Sequence, residues 1–516
     1  MIKLDGKSLT LKNLHEIANN DEKVVISPAA IKVVESSYNY LEQIIQDQLP
    51  VYGVNTGFGI FADQVISPDD SRKLNRNLII SHAVGTGLPL PKYIVRAAMA
   101  IRVNALVKGF SGIQPFIIDR LVEMINKDVI PVVYSKGSLG SSGDLCMLAQ
   151  MALVLTRDEN DDTLDSGYAE YDGQVMSGYE AMRAAGIERC VLSYKDGLAL
   201  INGATFSAAV LALCAYEAGF LSNLADLTAA MSFEGLIGRS DALNPALHEA
   251  RGLDGQMTSA SRILEFINGS TLVDSDNHIQ DAYSLRCAPQ VHGAVRDTIT
   301  FVNETALREI NAATDNPLII GEGKVISGGN FHGEPVAMAA DHLSIALTEL
   351  SAIAERRLFR MMDKNLNFGL PAMLVGDGGK VGLNSGVMLL QYTAAALVLE
   401  SQTLSSPDST LSLPTSANQE DHNANAFNAA LHLLQVLENT LRVIAIEYYC
   451  ACRAVDLRLK QSPSKRMGTA TQAGHDLLRG EIPYQSGDVN WGIELKNLYD
   501  LLVENGFRNK LVDILN

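Results

Sequence analysis

Apolar residues recur three and four positions apart through the second half of the chain, in stretches that exceed roughly 20 residues, and this periodicity constrains the fold more than any other feature. Leu343, Leu347, Leu350 and Ile353 form one such stripe, and Leu433, Val436, Leu437 and Leu441 form another. Side chains at that spacing share one face of an α-helix. The stretches are rich in Ala, Leu and Met, which lose little freedom in a helix. They begin after Asp196. Upstream, short helical patterns alternate with Gly-rich turns, and few runs anywhere alternate as strands do. The expected fold class is mainly α, a bundle of long helices with a smaller, loop-rich N-terminal domain. The expected blocks are residues 1–196 for that N-terminal domain, 197–480 for the central bundle and 481–516 for a C-terminal helical segment. A stripe of small and apolar residues on so long a helix serves either as core or as a subunit interface, and the sequence leaves both open.

The chain has 516 residues, enough to bury a large core without staples. Apolar residues make up 47% of it and charged residues 19%, values that exclude wholesale disorder. A net charge of −18 argues against nucleic acid or an anionic membrane as the main partner. No uninterrupted apolar run reaches the length of about 18 residues that a membrane span needs. The six cysteines (Cys146, Cys190, Cys214, Cys287, Cys450 and Cys452) include no CxxC pair and are expected as buried free thiols. The opening MIKLDGKSLTLKNLHEI lacks the apolar segment of a signal peptide, so the expected compartment is the cytoplasm.

Several signatures are absent: HExxH, GxxxxGK[ST] and GxSxG. The glycines of Gly376 to Gly382 have no strand-then-helix context for a nucleotide. The ten histidines are dispersed, so neither a metal nor a nucleotide cofactor is expected. The informative element is Gly140-Ser141-Ser142-Gly143-Asp144. One reading is a flexible turn. The sharper one is a backbone able to cyclise. Gly143 has no side chain, so its amide nitrogen can approach the carbonyl carbon of Ser141. Ring closure with loss of water gives an imidazolone. Loss of the Ser142 hydroxyl as a second water leaves an exocyclic methylidene, an electrophile that no ordinary side chain supplies.

The surroundings of that element carry a resemblance. YGVNTGFG (Tyr52 to Gly59), NALVKGFSG (Asn104 to Gly112), GSLGSSGDL (Gly137 to Leu145), YSLRCAPQ (Tyr283 to Gln290), SGGNFHGEP (Ser327 to Pro335) and LPTSANQEDH (Leu413 to His422) occur in the order typical of one family. The chain resembles the aromatic amino acid ammonia-lyases that carry the methylidene-imidazolone (MIO) group. The resemblance implies MIO formed autocatalytically from Ser141-Ser142-Gly143 and a mainly α-helical, fumarase-like architecture. It also implies homotetramers whose active sites combine residues from three subunits. Tyr52 would be the base and Tyr283 would line the site. Arg286 would hold the substrate carboxylate in a bidentate pair, and Asn202, Gln280 and Phe331 would complete the pocket. Each of these has a plainer alternative, a core aromatic for Tyr283 and Phe331 or a structural ion pair for Arg286.

Within that family the sequence is similar to the branch acting on histidine. Ser81-His82 stands where tyrosine enzymes resemble His-Leu and phenylalanine enzymes Phe-Leu. Glu420 stands where the histidine branch places a carboxylate against the substrate imidazole, whose N–H is a donor. The alternatives are a helix N-terminal acid for Glu420 and a hydrogen-bonded core histidine for His82. The implied reaction is elimination of ammonia from L-histidine to give trans-urocanate. The rivals are a lyase or aminomutase for tyrosine or phenylalanine, or a non-catalytic paralogue that binds an amino acid or a protein. Ser141 replaces the usual first Ala of the triad. Cys146-Met147-Leu148-Ala149-Gln150 replaces Ala-Pro-Leu-Ala-His, Ala282 replaces Pro, and Ala204 interrupts Asn-Gly-Thr. Asn423-Ala424-Asn425 replaces Val-Ser-Met. The polar changes are expected near the substrate end.

Overall fold

The computed structural model describes residues 1–46, 56, 66–321 and 324–516. Tyr52 lies outside the described residues. Among them are nineteen α-helices, with strands only as short pieces, so the fold is mainly α. The longest helices are Thr205–Gly235, Ala288–Glu309, Glu334–Met362 and Ala426–Gln461. Three of these are long and apolar enough to cross a membrane by length and composition. Yet 78%, 67% and 56% of their apolar windows are buried inside the protein.

The chain divides into two compact units, each assembled from three segments. The first holds residues 1–216, 302–341 and 407–431; the second holds 217–301, 342–406 and 432–516. The change in composition at Asp196 marks where the long helices begin, which is a different thing from where the chain partitions. All six cysteines are unpaired thiols, as expected, although Cys287 is only partly buried.

In the first unit the Lys92–Leu106 helix is buried from Ile94 onward. It carries two arginines and an asparagine inward, and each bonds main-chain groups, although Arg102 Nε stays without a partner. Arg102 donates to the carbonyls of Asn202 and Ala199. Asn104 donates to Ile310 O at 2.8 Å and accepts from Gly6 N–H at 2.8 Å. The apolar Leu145–Leu155 helix lies buried in the same unit. A two-residue Asp172-Gly173 turn, both residues at positive φ, closes the hairpin of Tyr168–Tyr171 with Gln174–Ser177.

In the second unit Leu343, Leu347, Leu350, Leu433 and Val436 are buried, whereas Ile353, Leu437 and Leu441 are only partly so. The stripes are mainly core. A buried ionic network sits among them. Glu447 accepts from Ser232 Oγ at 2.7 Å, from Thr228 Oγ1 at 3.0 Å and from both Nε and Nη2 of Arg357. Arg357 also donates to Ser284 O at 3.3 Å, within the short Tyr283–Arg286 helix. His292 bonds Asp226 at 2.8 Å.

Arg357 and Glu447 have no exposed side-chain surface. Removing one partner strands a buried charge, whereas removing both does not. Arg357→Met should lower stability by about 3–5 kcal/mol, read as a fall in the urea unfolding midpoint. Arg357→Met combined with Glu447→Leu should cost visibly less.

Candidate active site

Gly143 has φ +76° and forms a parallel bridge with Gly203, which has φ +135°. A Cβ on Gly143 would fall 2.2–2.3 Å from the backbone atoms of Gly203, and a Cβ on Gly203 would fall 2.4 Å from Thr314 Oγ1. No side chain fits at either position. The next residue locks this approach in place. Asp144 N–H donates to Gly203 O at 2.9 Å. The Asp144 carboxylate accepts from Ser138 Oγ, Ser207 N–H and Ser207 Oγ, each at 2.8 Å. Burial pushes its pKa above the usual carboxylate value, and these donors oppose that. Asn202 then reaches over the triad and donates from Nδ2 to Ser142 O at 3.0 Å, while its buried Oδ1 has no partner. A triad pressed against a side-chain-free backbone, with a donor on Ser142 O, fits the MIO group.

The segment from Leu413 to Asn425 packs onto the triad. Ser416, Ala417 and Asn418 all have left-handed φ, at 49°, 50° and 67°. Such a run costs of the order of 1–3 kcal/mol per residue and persists only where the surroundings hold it. Here Thr415 and Glu420 close an antiparallel bridge across it. Thr415 Oγ1 donates to Glu420 Oε2 at 2.8 Å, and Ser142 Oγ donates to the other carboxylate oxygen, Oε1. Ala424 N–H donates to Ser141 Oγ at 2.9 Å. The polar residues that replace Val-Ser-Met hold this segment together. Asn423 Nδ2 donates to Leu413 O, and Asn423 N–H to Ser412 Oγ at 2.8 Å. Asn425, at φ +55°, donates to the carbonyls of Asp408 and Leu411. These polar residues fall beside the triad and Glu420, with their amides used on backbone carbonyls, and asparagine tolerates the left-handed position.

Ser141, Ser142, Asn202, Phe331 and Glu420 line one cavity of about 710 Å³. His332 and His422, which sequence reasoning missed, line it too. Their rings stack at 5.9 Å, with His332 Nε2 3.1 Å from His422 O. Thr415 was also missed. All three lie inside motifs that were singled out, so motif membership was the available signal. A larger cavity of about 1080 Å³, lined by Lys3, Lys32, Lys108 and neighbours, holds none of these groups.

His82 ends the Pro68–His82 helix, with Ser81 Oγ 3.0 Å from its Nδ1. Burial lowers its pKa below the ordinary imidazole value, and a bond at Leu78 and the Glu420 charge pull the other way. Two of the unusual residues after the triad support the chain that follows His82. Gln150 Oε1 accepts from Tyr134 N–H at 3.0 Å. Gln150 and Cys146 both crowd Gly85, where a Cβ would fall 2.8 Å and 3.1 Å from their side-chain atoms.

Gln280, Tyr283 and Arg286 belong to the second unit. Gln280 is exposed, and Tyr283 is 70% exposed. Tyr283 is thus no core aromatic. The Arg286 guanidinium lies 4.6 Å from the Tyr283 ring and donates from Nε to Asp281 O at 2.9 Å. Among the described residues Arg286 makes no ion pair.

His82 should titrate below about 6.5 and be mostly neutral at that pH, as histidine-selective NMR would show. Glu420→Gln should move the titration lower still. Because the folded value lies below the unfolded one, the contribution of neutral His82 to stability is complete above about 6.5 and declines as pH falls toward the folded value.

Known proteins are similar to this chain in sequence and in fold. A histidine ammonia-lyase of Caldanaerobacter subterraneus is 44% identical over 502 residues, 97% of this chain and 96% of that protein. The structure of histidine ammonia-lyase from Trypanosoma cruzi superposes with a TM-score of 0.90 at 35% identity, covering 100% of this chain and 96% of that one. The tyrosine aminomutase of Streptomyces globisporus gives 0.92 at 31% identity, covering 99% and 98%. The sequence model of the aromatic amino acid lyases matches residues 9–480, which include the triad, its glycine partner and the Glu420 segment, and the chain belongs to that family.

Proposed function

We propose that this lyase is a histidine ammonia-lyase, eliminating ammonia from L-histidine to give trans-urocanate. The observation that carries the reading is the Glu420 carboxylate at the Ser142 hydroxyl, within one cavity. The histidine ammonia-lyases at 44% and 35% identity support it. Formed from Ser141-Ser142-Gly143 and held by Asn202 at the Ser142 carbonyl, MIO would supply an electrophilic carbon able to activate the substrate amine as a leaving group.

The side chains do the rest. Glu420 has Oε2 engaged by Thr415, and its Oε1, which accepts from Ser142 Oγ, is released to accept an imidazole N–H once that hydroxyl is lost in forming MIO. A phenyl ring would leave that oxygen desolvated and unpaired, which disfavours phenylalanine. Asn202 holds Ser142 O. Arg286, without a carboxylate partner of its own among the described residues, offers its planar fork to the substrate carboxylate. Tyr52 is the proposed base for the β-proton, by resemblance. A phenol titrates near pH 10, so a local field must favour its phenolate. The reaction needs no metal or nucleotide.

Tyr283, Gln280 and Arg286 are proposed to serve the site as part of a homotetramer with shared active sites. Exposed apolar residues on the Met388–Leu404 helix (Leu389, Tyr392 and Leu399) support burial against further copies. The cytoplasm is the proposed compartment, supported by six unpaired cysteines.

Urocanate absorbance after mixing with L-histidine, beside L-tyrosine, tests the reading. Signal with histidine alone supports it, and coumarate from tyrosine alone overturns the substrate. Glu420→Gln should lower kcat/KM for histidine by about 10- to 100-fold, the worth of a charge-assisted hydrogen bond, without lowering thermal stability. Ser142→Ala should fold and lose nearly all turnover.

A further inference from the structure

We propose that Ser141 is a positioning residue for Glu420, through a hydrogen bond that outlasts the chemistry removing the neighbouring Ser142 hydroxyl. The inference rests on the lyase reading above. Two long-range bonds join the triad to the Glu420 segment in the uncyclised chain: Ser142 Oγ to Glu420 Oε1, and Ala424 N–H to Ser141 Oγ. They span 278 and 283 positions of sequence.

The two bonds have different fates. Ring closure joins Gly143 N to the Ser141 carbonyl carbon. That carbonyl oxygen leaves as water with the amide protons of Ser142 and Gly143. The second water takes the Ser142 hydroxyl and the Ser142 Cα proton, leaving the exocyclic double bond. Neither step touches Ser141 Oγ. Maturation therefore breaks the Ser142–Glu420 bond and releases Oε1 for the substrate. The Ala424–Ser141 bond and the Thr415–Glu420 bond remain to hold the carboxylate where it was.

The surroundings favour this division. Ser141 is 5% exposed and Ala424 is 0% exposed, so no water replaces the bond. Ser141 Oγ lies 3.4 Å from Leu139 O, which takes its proton and leaves a lone pair for Ala424 N–H. The left-handed run at Ser416 to Asn418 means that the segment stays in place only while it is tied. Alanine, the more usual residue at this position in the family, offers Ala424 no acceptor. This chain uses the unusual serine as the permanent tie.

The test uses the full chain as wild type, Ser141→Ala, Glu420→Gln and the double variant. Four results are expected. Ser141→Ala keeps the mass deficit of about 36 Da that two lost waters leave, since alanine supplies the same carbonyl. Amide exchange at residues 423–425 accelerates by about tenfold or more. The kcat/KM for histidine falls about tenfold, the order of a lost buried hydrogen bond. In the Glu420→Gln background the same substitution changes kcat/KM by less than about twofold, because its effect acts through Glu420.

Unchanged exchange overturns the proposal. So does an equal penalty in both backgrounds, which would make Ser141 independent of Glu420. A lost mass deficit would assign Ser141 to ring closure instead. Exchange reads the tie whatever the substrate, so a wild type silent on histidine would sink the substrate reading while exchange still judged the clamp.

Discussion

The approach of Gly143 to Gly203 is the constraint on which the site depends. Gly143 lies so close to the Gly203 backbone that it can carry no Cβ, and a Cβ on Gly203 would meet Thr314 Oγ1. That contact fixes where the Leu145–Leu155 helix starts and where the Asn202 turn ends. Asp144 holds it, a fully buried carboxylate with three donors around it and its own N–H on Gly203 O. Such a carboxylate is expensive to bury and persists only because every donor is in place. The same contact sets Asn202 over Ser142 O, so the geometry of the triad and its environment share one origin.

The Glu420 segment is the second dependency, built the opposite way. The triad is held by close packing, whereas this segment is held by hydrogen bonds against an unfavourable backbone. Three consecutive left-handed residues put Glu420 back beside Thr415, and amides of Asn423 and Asn425 tie the flanks. The two carboxylate oxygens consequently have separate partners, one from within the segment and one from the triad. His82 sits within reach of that charge, at a helix end supported by Gln150 and Cys146 through Gly85. Ser141, Cys146, Gln150, Asn423 and Asn425, which set this chain apart from its family's usual pattern, thus fall on the supports of the site.

The long helices were legible in the sequence because helical periodicity is local; Leu343, Leu347 and Leu350 needed no partner to be read as one face, and they are buried. The division of the chain was not, because each unit interleaves three segments and composition changes elsewhere. Ser142 and Glu420 lie 278 positions apart, so no spacing argument joins them, and the resemblance alone put them in one site. Asn423 and Asn425 were expected near the substrate end, but the use of their amides on backbone carbonyls was not legible, because a polar side chain does not announce whether its partner is a ligand or a carbonyl. Thr415 escaped notice for the same reason: its hydroxyl matters only through a backbone turn that residue types do not display.

The central claim is that this backbone geometry serves ring closure at Ser141-Ser142-Gly143. Trypsin cleaves after Lys136 and Arg157, releasing the triad in the peptide from Gly137 to Arg157. Mass spectrometry of that peptide from purified, untreated protein tests the claim most directly. A cyclised triad makes that peptide lighter than its sequence mass by about 36 Da, two waters. A peptide at full sequence mass would contradict the claim, leaving a lyase scaffold whose triad stays open.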